Sequence, residues 1–371
     1  MAMDKNVFAE LEKMGRRSRV FLSMPFVPGL TPIILNVPGR YTVHDGSEEI
    51  ERRHGVFGMD EAALSPLDHG GLYGDAVFEG ILIANRRVFV FKEHLSRWKT
   101  SAERMGITFP YGLTEMAEII VNLVREVNFS ADERGYLRPV LTRGFGNLGI
   151  NPKKCIAPTV YVIASTIALY PPERYQTGIE LSVARQIRRA GRTIQNPNVK
   201  SNNYLNNING LIETAHQGTL ETLMLTSDGF VAEATADNIF LVRAAEGWEG
   251  DPSKVVIETP SRGYCLVGIT RNLVCQEAQA LGYRVVERGD LLPMDLVGPQ
   301  REVFMTGTGC GIMPIVAVEG VSVGTGTPGP ITRGLLDRVT ARMSDPAYAL
   351  SLDATPKEIA AYMEAPLAVH P

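Results

Sequence analysis

Two residues, Lys200 and Glu233, stand in settings that suit chemistry. Lys200 lies in NVKSNNYLNNING (198–210), among small polar residues and just ahead of a segment with helical spacing. A helix N-terminus carries partial positive charge, which disfavours an ammonium and favours the free amine that carbonyl chemistry uses. Glu233 closes a strand-like stretch in VAEATADNIF (231–240). A carboxylate so placed can keep a heteroaromatic ring nitrogen protonated. Taken singly, each residue has a commoner reading: a surface lysine, and a solvated glutamate at a strand end.

Two further stretches could bind an anion. GITR (268–271) opens a helix, so backbone N–H groups, the helix dipole and the Thr270 hydroxyl would converge there. MTGTGCG (305–311) is a glycine cluster after a strand and could present more N–H groups. Neither is a nucleotide fingerprint. TGTGCG runs on into MPIVAV rather than a helix, and the chain has no GxxxxGK[ST].

These residues need elements to position them. AVFEGILIA (76–84) and RRVFVFK (86–92) predict a hairpin turning at Asn85-Arg86. Leu95, Trp98, Ala102 and Met105 mark an amphipathic helix over 94–105, with Arg97 beside the stripe, where arginine is usually solvated. Met116, Ile119, Ile120, Leu123, Val124 and Val127 mark a second helix over 115–127, and strands are expected at 136–142 and 159–164. Two helices against an antiparallel sheet make an α+β domain. Beyond Pro171-Pro172 short strands crowd together, interrupted by a helix over 204–216, with Leu205, Ile208, Leu211, Ile212 and Ala215 at helical spacing, and one over 271–281 capped by Thr270. The expected organisation is an N-terminal arm over 1–45 with a short helix at 7–14 and a Pro-rich extended path, a small α+β domain over 46–170, and a larger β-rich, barrel-like domain over 171–371.

Composition narrows the partners. Among 371 residues the net charge is −4, which gives no electrostatic footprint for nucleic acid or an anionic membrane. No apolar run approaches the roughly 18 residues of a membrane helix. The start carries Asp4, Glu10 and Glu12 and no apolar core of a signal peptide, so a cytoplasmic protein with small-molecule partners is expected. Cys155, Cys265, Cys275 and Cys310 show no metal or disulfide spacing, and His44, His54, His69, His94 and His216 show no ligand spacing, so no metal is expected. Arg185, Arg188, Arg189 and Arg192 read as a solvated or interface surface rather than an anion site.

Taken together, YGDAVFEGI (73–81), HLSRWKTSA (94–102), YLRP (136–139), VKSNNYLNN, VAEATADNIF, GITR, FMTGTGCGIMPI (304–315) and GPITRGL (329–335) resemble, in order and spacing, the fold-type IV aminotransferases that use pyridoxal 5'-phosphate. Within them the resemblance is to the branched-chain amino acid aminotransferases. It implies the two-domain α+β fold, with Lys200 holding the cofactor as an internal aldimine and shuttling the proton. Arg97, Ile269, Thr270 and Thr308 would bind phosphate, Tyr204 the ring hydroxyl and Glu233 the ring nitrogen. Tyr73, Phe78, Tyr136 and Arg138 would line the substrate pocket, and the Thr308-Gly309-Cys310 turn would bind the α-carboxylate. The loop RGFGNLGINP (143–152) matches one that reaches the partner subunit's site, which implies a homodimer with Leu148 and Ile150 in an apolar pocket.

The implied reaction is ping-pong transamination of branched-chain or similar apolar L-amino acids with 2-oxoglutarate. The chain departs from the family pattern where EATADN replaces EGxxxN, Gly309-Cys310 replaces a common Ala-Ala, and Asp75-Ala76 stands where branched-chain members often have other small residues. A D-amino acid aminotransferase or an aminodeoxychorismate-type lyase shares the lysine, glutamate and phosphate residues. A catalytically silent binding module is the alternative of a different class.

Overall fold

The computed structural model describes residues 5–25, 37–42, 49–167 and 169–370. The chain divides into two units, one of Met1–Ile167, Val199–Asn203 and Pro346–Ala368, the other of Ala168–Asn198, Tyr204–Asp345 and Val369–Pro371. Both contain helices and a large sheet, in keeping with the α+β class expected. None of the described helices is long and apolar enough to cross a membrane.

The first unit holds α1 (Lys5–Arg17), β1 (Arg19–Pro25), β2 (Val37–Thr42), β3 (Glu49–Gly58), α2 (His69–Tyr73), β4 (Ala76–Phe78), β5 (Ile81–Ala84), β6 (Arg87–Phe89), α3 (Phe91–Arg104), α4 (Leu113–Val127), β7 (Gly135–Thr142) and β8 (Thr159–Thr166). The predicted hairpin is present. β5 and β6 are antiparallel with Ala84 opposite Arg87, and Asn85 and Arg86 both take positive φ (52° and 55°), the conformation of a tight hairpin turn. The run 76–84, read as one strand, is two. Glu79 and Gly80 interrupt it, and β4 and β5 each pair with β7. Gly80 is required there, because a Cβ would lie 1.8 Å from the Tyr136 hydroxyl.

The predicted helices form α3 and α4. Leu95, Trp98 and Ala102 of α3 and Met116, Ile120, Leu123 and Val124 of α4 are fully buried in one core with β4, β5, β7 and β8. The early segment expected as an overlying arm is built into the sheet instead: β1 pairs antiparallel with both β3 and β8, because Val20, Leu22 and Met24 are apolar and buried. Its Pro28, Pro32 and His44 lie outside the described residues. The chain's end also returns to this unit. Strand Ala349–Ser351 pairs with β6, and helix Pro356–Glu364 packs Ile359 into the core.

The second unit holds α5 (Arg174–Thr177), β9 (Ile179–Arg188), α6 (Leu205–Thr214), β10 (Glu221–Leu225), β11 (Val231–Ala234), β12 (Asn238–Ala244), β13 (Val255–Pro260), α7 (Ile269–Ala280), β14 (Arg284–Arg288), β15 (Arg301–Gly307), β16 (Gly311–Val318), β17 (Val321–Ser322) and α8 (Pro330–Arg342). Its sheet runs β11-β10-β9-β16-β15-β12-β13-β14, with β17 paired to β16. The β9–β10, β9–β16 and β13–β14 pairs are parallel and the rest antiparallel.

Three details differ from expectation. α7 begins at Ile269 with Gly268 as its N-cap, so Thr270 sits inside the first turn rather than capping it. α8 is a helix that the strand-rich pattern concealed, opened by Pro330 after Gly329, the position where proline costs no hydrogen bond. The third is α6, whose apolar stripe faces outward: Leu205 and Ile212 are 68% and 66% exposed. The helix packs through its small and polar face. Gly210 lies where a Cβ would be 2.4 Å from Met224 Sδ, Asn207 donates to Thr235 O at 2.6 Å, and the Thr214 and Thr222 hydroxyls meet at 2.5 Å.

Candidate active site

In the first unit, Lys200 belongs to a short stretch that pairs with β4 and does not cap α6. Phe78 N donates to Lys200 O and Asn202 N to Ala76 O, both at 2.9 Å, while Lys200 N donates to Ser101 Oγ at 3.4 Å. Lys200 thus has strand-like backbone anchoring and stands just ahead of α6, whose N-cap is Tyr204. Lys200 Nζ lies 4.6 Å from the centre of the Phe78 ring. Arg138 Cζ lies 4.5 Å from the same ring and 5.5 Å from that of Tyr136.

Tyr136 and Arg138 are two residues apart on β7, hence on one face of the sheet, and Arg138 NH2 donates to Tyr136 Oη at 3.3 Å. Arg138 Nε is buried without a hydrogen-bond partner among the described residues. The fold thus brings Lys200, Phe78, Tyr136 and Arg138 into one cluster.

Arg97 lies on α3 one turn before Ser101, so the helix that holds the Lys200 backbone also carries the arginine. Its Nε and NH2 donate to the two carboxylate oxygens of Glu79 at 2.7 and 2.8 Å. Tyr73 belongs to another cluster. Its hydroxyl donates to Leu148 O, its ring stands edge-on to His69 at 5.0 Å, and His69 Nε2 meets Asn147 O at 2.8 Å. These contacts fix the 147–150 loop, on which Leu148 and Ile150 are 72% and 81% exposed.

In the second unit, Glu233 is buried on β11. Its Oε1 accepts from Arg189 Nε and its Oε2 from Leu266 N at 3.2 Å. From Leu266 the chain runs directly to Gly268, Ile269 and Thr270, the last two buried at the start of α7. A Cβ on Gly268 would fall 2.2 Å from Asn238 Oδ1, while Asn238 donates to Leu266 O at 2.8 Å.

Thr308, Gly309 and Cys310 form the turn between β15 and β16, closed by the pairing of Gly307 with Gly311. Asp237 supports this turn from behind. It accepts from Cys310 Sγ at 3.5 Å, and a Cβ on Gly307 would be 1.7 Å from its Oδ1. Burial, then the neighbouring Asp237, pushes the Cys310 thiol well above its usual range, so it stays a protonated donor.

Glu79, Arg189 and Asp237 were not among the expected site residues. Arg189 reads from its arginine-rich neighbourhood as solvated, yet its side chain is only 10% exposed against Glu233. Glu79 carried a usable signal: a lone carboxylate inside an apolar run must be paired if that run is buried. A cavity of about 410 Å3 near Trp248 and Arg301 contains none of the predicted residues.

The donor set fits pyridoxal phosphate: an amine for the aldehyde, a buried carboxylate for the ring nitrogen, and arginine, threonine and helix-start N–H groups for the phosphate. Comparison with known proteins agrees. The family model for "Amino-transferase class IV" matches residues 76–318. The putative branched-chain-amino-acid aminotransferase of Methanocaldococcus jannaschii is 36% identical over 278 residues, covering 75% of this chain and 90% of that protein.

The T.th. branched-chain amino acid aminotransferase, solved with pyridoxamine 5'-phosphate, superimposes with a TM-score of 0.71 at 29% identity over 80% of this chain and 96% of that one. The same enzyme complexed with N-(5'-phosphopyridoxyl)-L-glutamate gives 0.70 at 29% identity, over 81% and 96%. The chain belongs to the class IV aminotransferases, pyridoxal phosphate enzymes of fold type IV, and stands close to their branched-chain amino acid members.

Proposed function

We propose that the protein transaminates branched-chain or similar apolar L-amino acids with 2-oxoglutarate in a ping-pong cycle. The observation that carries this reading is Lys200 and Arg138 flanking one aromatic ring, Phe78. A ping-pong aminotransferase admits an apolar side chain in one half-reaction and an acidic one in the other. Phe78 offers the apolar contact, and the Arg138 guanidinium beside the same ring offers donors to a carboxylate. The complex of the T.th. enzyme with a phosphopyridoxyl-L-glutamate supports glutamate and its 2-oxo acid as the acidic pair.

When bound, pyridoxal phosphate supplies an electron sink for the pair left as the substrate α C–H bond breaks. Lys200 Nζ would hold the aldehyde carbon, and after displacement by the substrate amine it would take and return the α proton. Arg97, Ile269, Thr270 and Thr308 would bind the phosphate and Tyr204 the ring hydroxyl. Glu233 would engage the ring nitrogen, oriented by Arg189 and Leu266 N. The 308–310 turn would present N–H groups to the α-carboxylate, and Tyr136 would line the substrate pocket.

A second copy of the chain completes the proposal. Leu148 and Ile150 on the anchored loop, with Tyr73 beneath them, and the outward stripe of α6 are apolar surfaces that a homodimer would cover. Light scattering on the purified protein should give a dimer or a multiple of one, and a monomer would contradict this part. Turnover is tested with L-leucine, L-valine, D-alanine and aminodeoxychorismate against 2-oxoglutarate and pyruvate. L-leucine or L-valine with 2-oxoglutarate should be the preferred pair. Preference for D-alanine or aminodeoxychorismate, or a Lys200→Ala variant active at the wild-type rate, would overturn the proposal.

A further inference from the structure

Glu79 is fully buried between β4 and β5, a position an isolated carboxylate cannot hold without partners. Its partners come from one face of α3. Arg97 meets both carboxylate oxygens through Nε and NH2, a bidentate, edge-on grip, and His94, one turn earlier, meets Oε2 through Nδ1 at 2.7 Å. The Glu79 N–H donates to Pro139 O at 2.9 Å, so the backbone carrying the carboxylate is tied to β7.

Burial raises the Glu79 pKa, but the charge and hydrogen bonds of Arg97, followed by those of His94, outweigh it and hold the carboxyl at about 2. Burial lowers the pKa of His94 more than Glu79 raises it. The imidazole is therefore neutral and donates from Nδ1, and its Nε2 is buried without a hydrogen-bond partner among the described residues. The cluster contains one negative and one positive charge, and the guanidinium is its outermost part: the Arg97 side chain is 17% exposed, while Glu79 and His94 are 0%.

The carboxylate occupies the Nε–NH2 edge of Arg97, so the guanidinium plane is set and the edge bearing NH1 is the one directed away from Glu79. We infer that Glu79, braced by His94, is a positioning residue that pre-orients Arg97 for the cofactor's phosphate. The inference rests on the reading of Arg97 as a phosphate ligand. Its content is that phosphate recognition needs a buried anion behind the arginine, a role outside the lysine, glutamate and arginine that touch the cofactor.

The test measures phosphate recognition apart from turnover. The full chain, freed of cofactor, is titrated by absorbance with pyridoxal 5'-phosphate and with pyridoxal, which lacks the phosphate. Glu79→Gln should weaken pyridoxal 5'-phosphate binding by about 10- to 100-fold, the range for losing a charge-assisted hydrogen bond, and leave pyridoxal affinity within about twofold. Glu79→Asp keeps the buried charge but falls one methylene short, so it tests the same point if the glutamine variant does not fold, and should show the same selective loss. His94→Gln should show a smaller loss of the same kind.

An Arg97→Ala variant separates the two levels of the argument. If Arg97→Ala loses the phosphate advantage and the foldable Glu79 variants keep it, the positioning role is overturned. If Arg97→Ala itself keeps the advantage, the phosphate reading beneath it is overturned.

Discussion

The two units hold their key charged side chains by opposite means. In the first, a cation, Arg97, is backed by the buried anion Glu79; in the second, an anion, Glu233, is backed by the cation Arg189. In each case the opposite charge fixes one rotamer before any ligand arrives, which lowers the ordering cost of binding. The backing differs in depth. Glu79 is inaccessible and shared with His94, whereas Arg189 remains 10% exposed and shares Glu233 with a backbone N–H. The first pair should therefore matter more for folding, and the second more for the chemistry at the ring nitrogen.

The largest expected effect breaks the deeper pair. Glu79→Leu leaves a guanidinium among apolar groups, a change that costs about 3–5 kcal/mol for a buried pair, at the lower end here because Arg97 can turn toward solvent. Urea denaturation should show it. Arg189→Met removes the shallower backing and should cost about 1–3 kcal/mol by the same measurement, while kcat falls more than KM rises. Equal losses of stability from the two substitutions would remove the distinction between the pairs.

Acid probes the deeper pair directly. Glu79 has its pKa depressed from 4.5 to about 2, so its contribution is complete above pH 4.5 and is lost as pH falls toward 2. His94 has its pKa depressed below 6.5, so the unfolded chain takes up that proton first and stability declines as pH drops below 6.5. Stability measured against pH should show both limbs, and His94→Gln should remove the upper one and, because His94 helps hold the Glu79 carboxyl down, move the lower one to higher pH. The smallest expected effect lies on α6: Ile212→Ser, on a 66% exposed position, should change monomer stability by no more than about 0.5 kcal/mol yet weaken self-association.

Much of this was legible in the residues. Periodicity located α3 and α4, a cap signal at Thr270 brought α7 within two residues of its start, and Asn85-Arg86 located a hairpin, because local spacing and turn chemistry decide those features. Lys200 and Glu233 gained meaning only as part of an ordered motif set. Periodicity could not say which way α6 faces, since it finds an apolar stripe without knowing what covers it, and Gly210 and Asn207 are the residues that pack. Glu79 was hidden because an apolar run with one charge still reads as a strand. Arg189 was hidden among arginines whose partners are distant in sequence, Glu233 above all.

Every role proposed above depends on Lys200 as the residue that carries the cofactor. Borohydride reduction of the pyridoxal phosphate-loaded enzyme, followed by peptide mapping, tests it directly. The peptide containing Lys200 should carry a phosphopyridoxyl label. A label on a different lysine, or a Lys200 peptide without one, would contradict it.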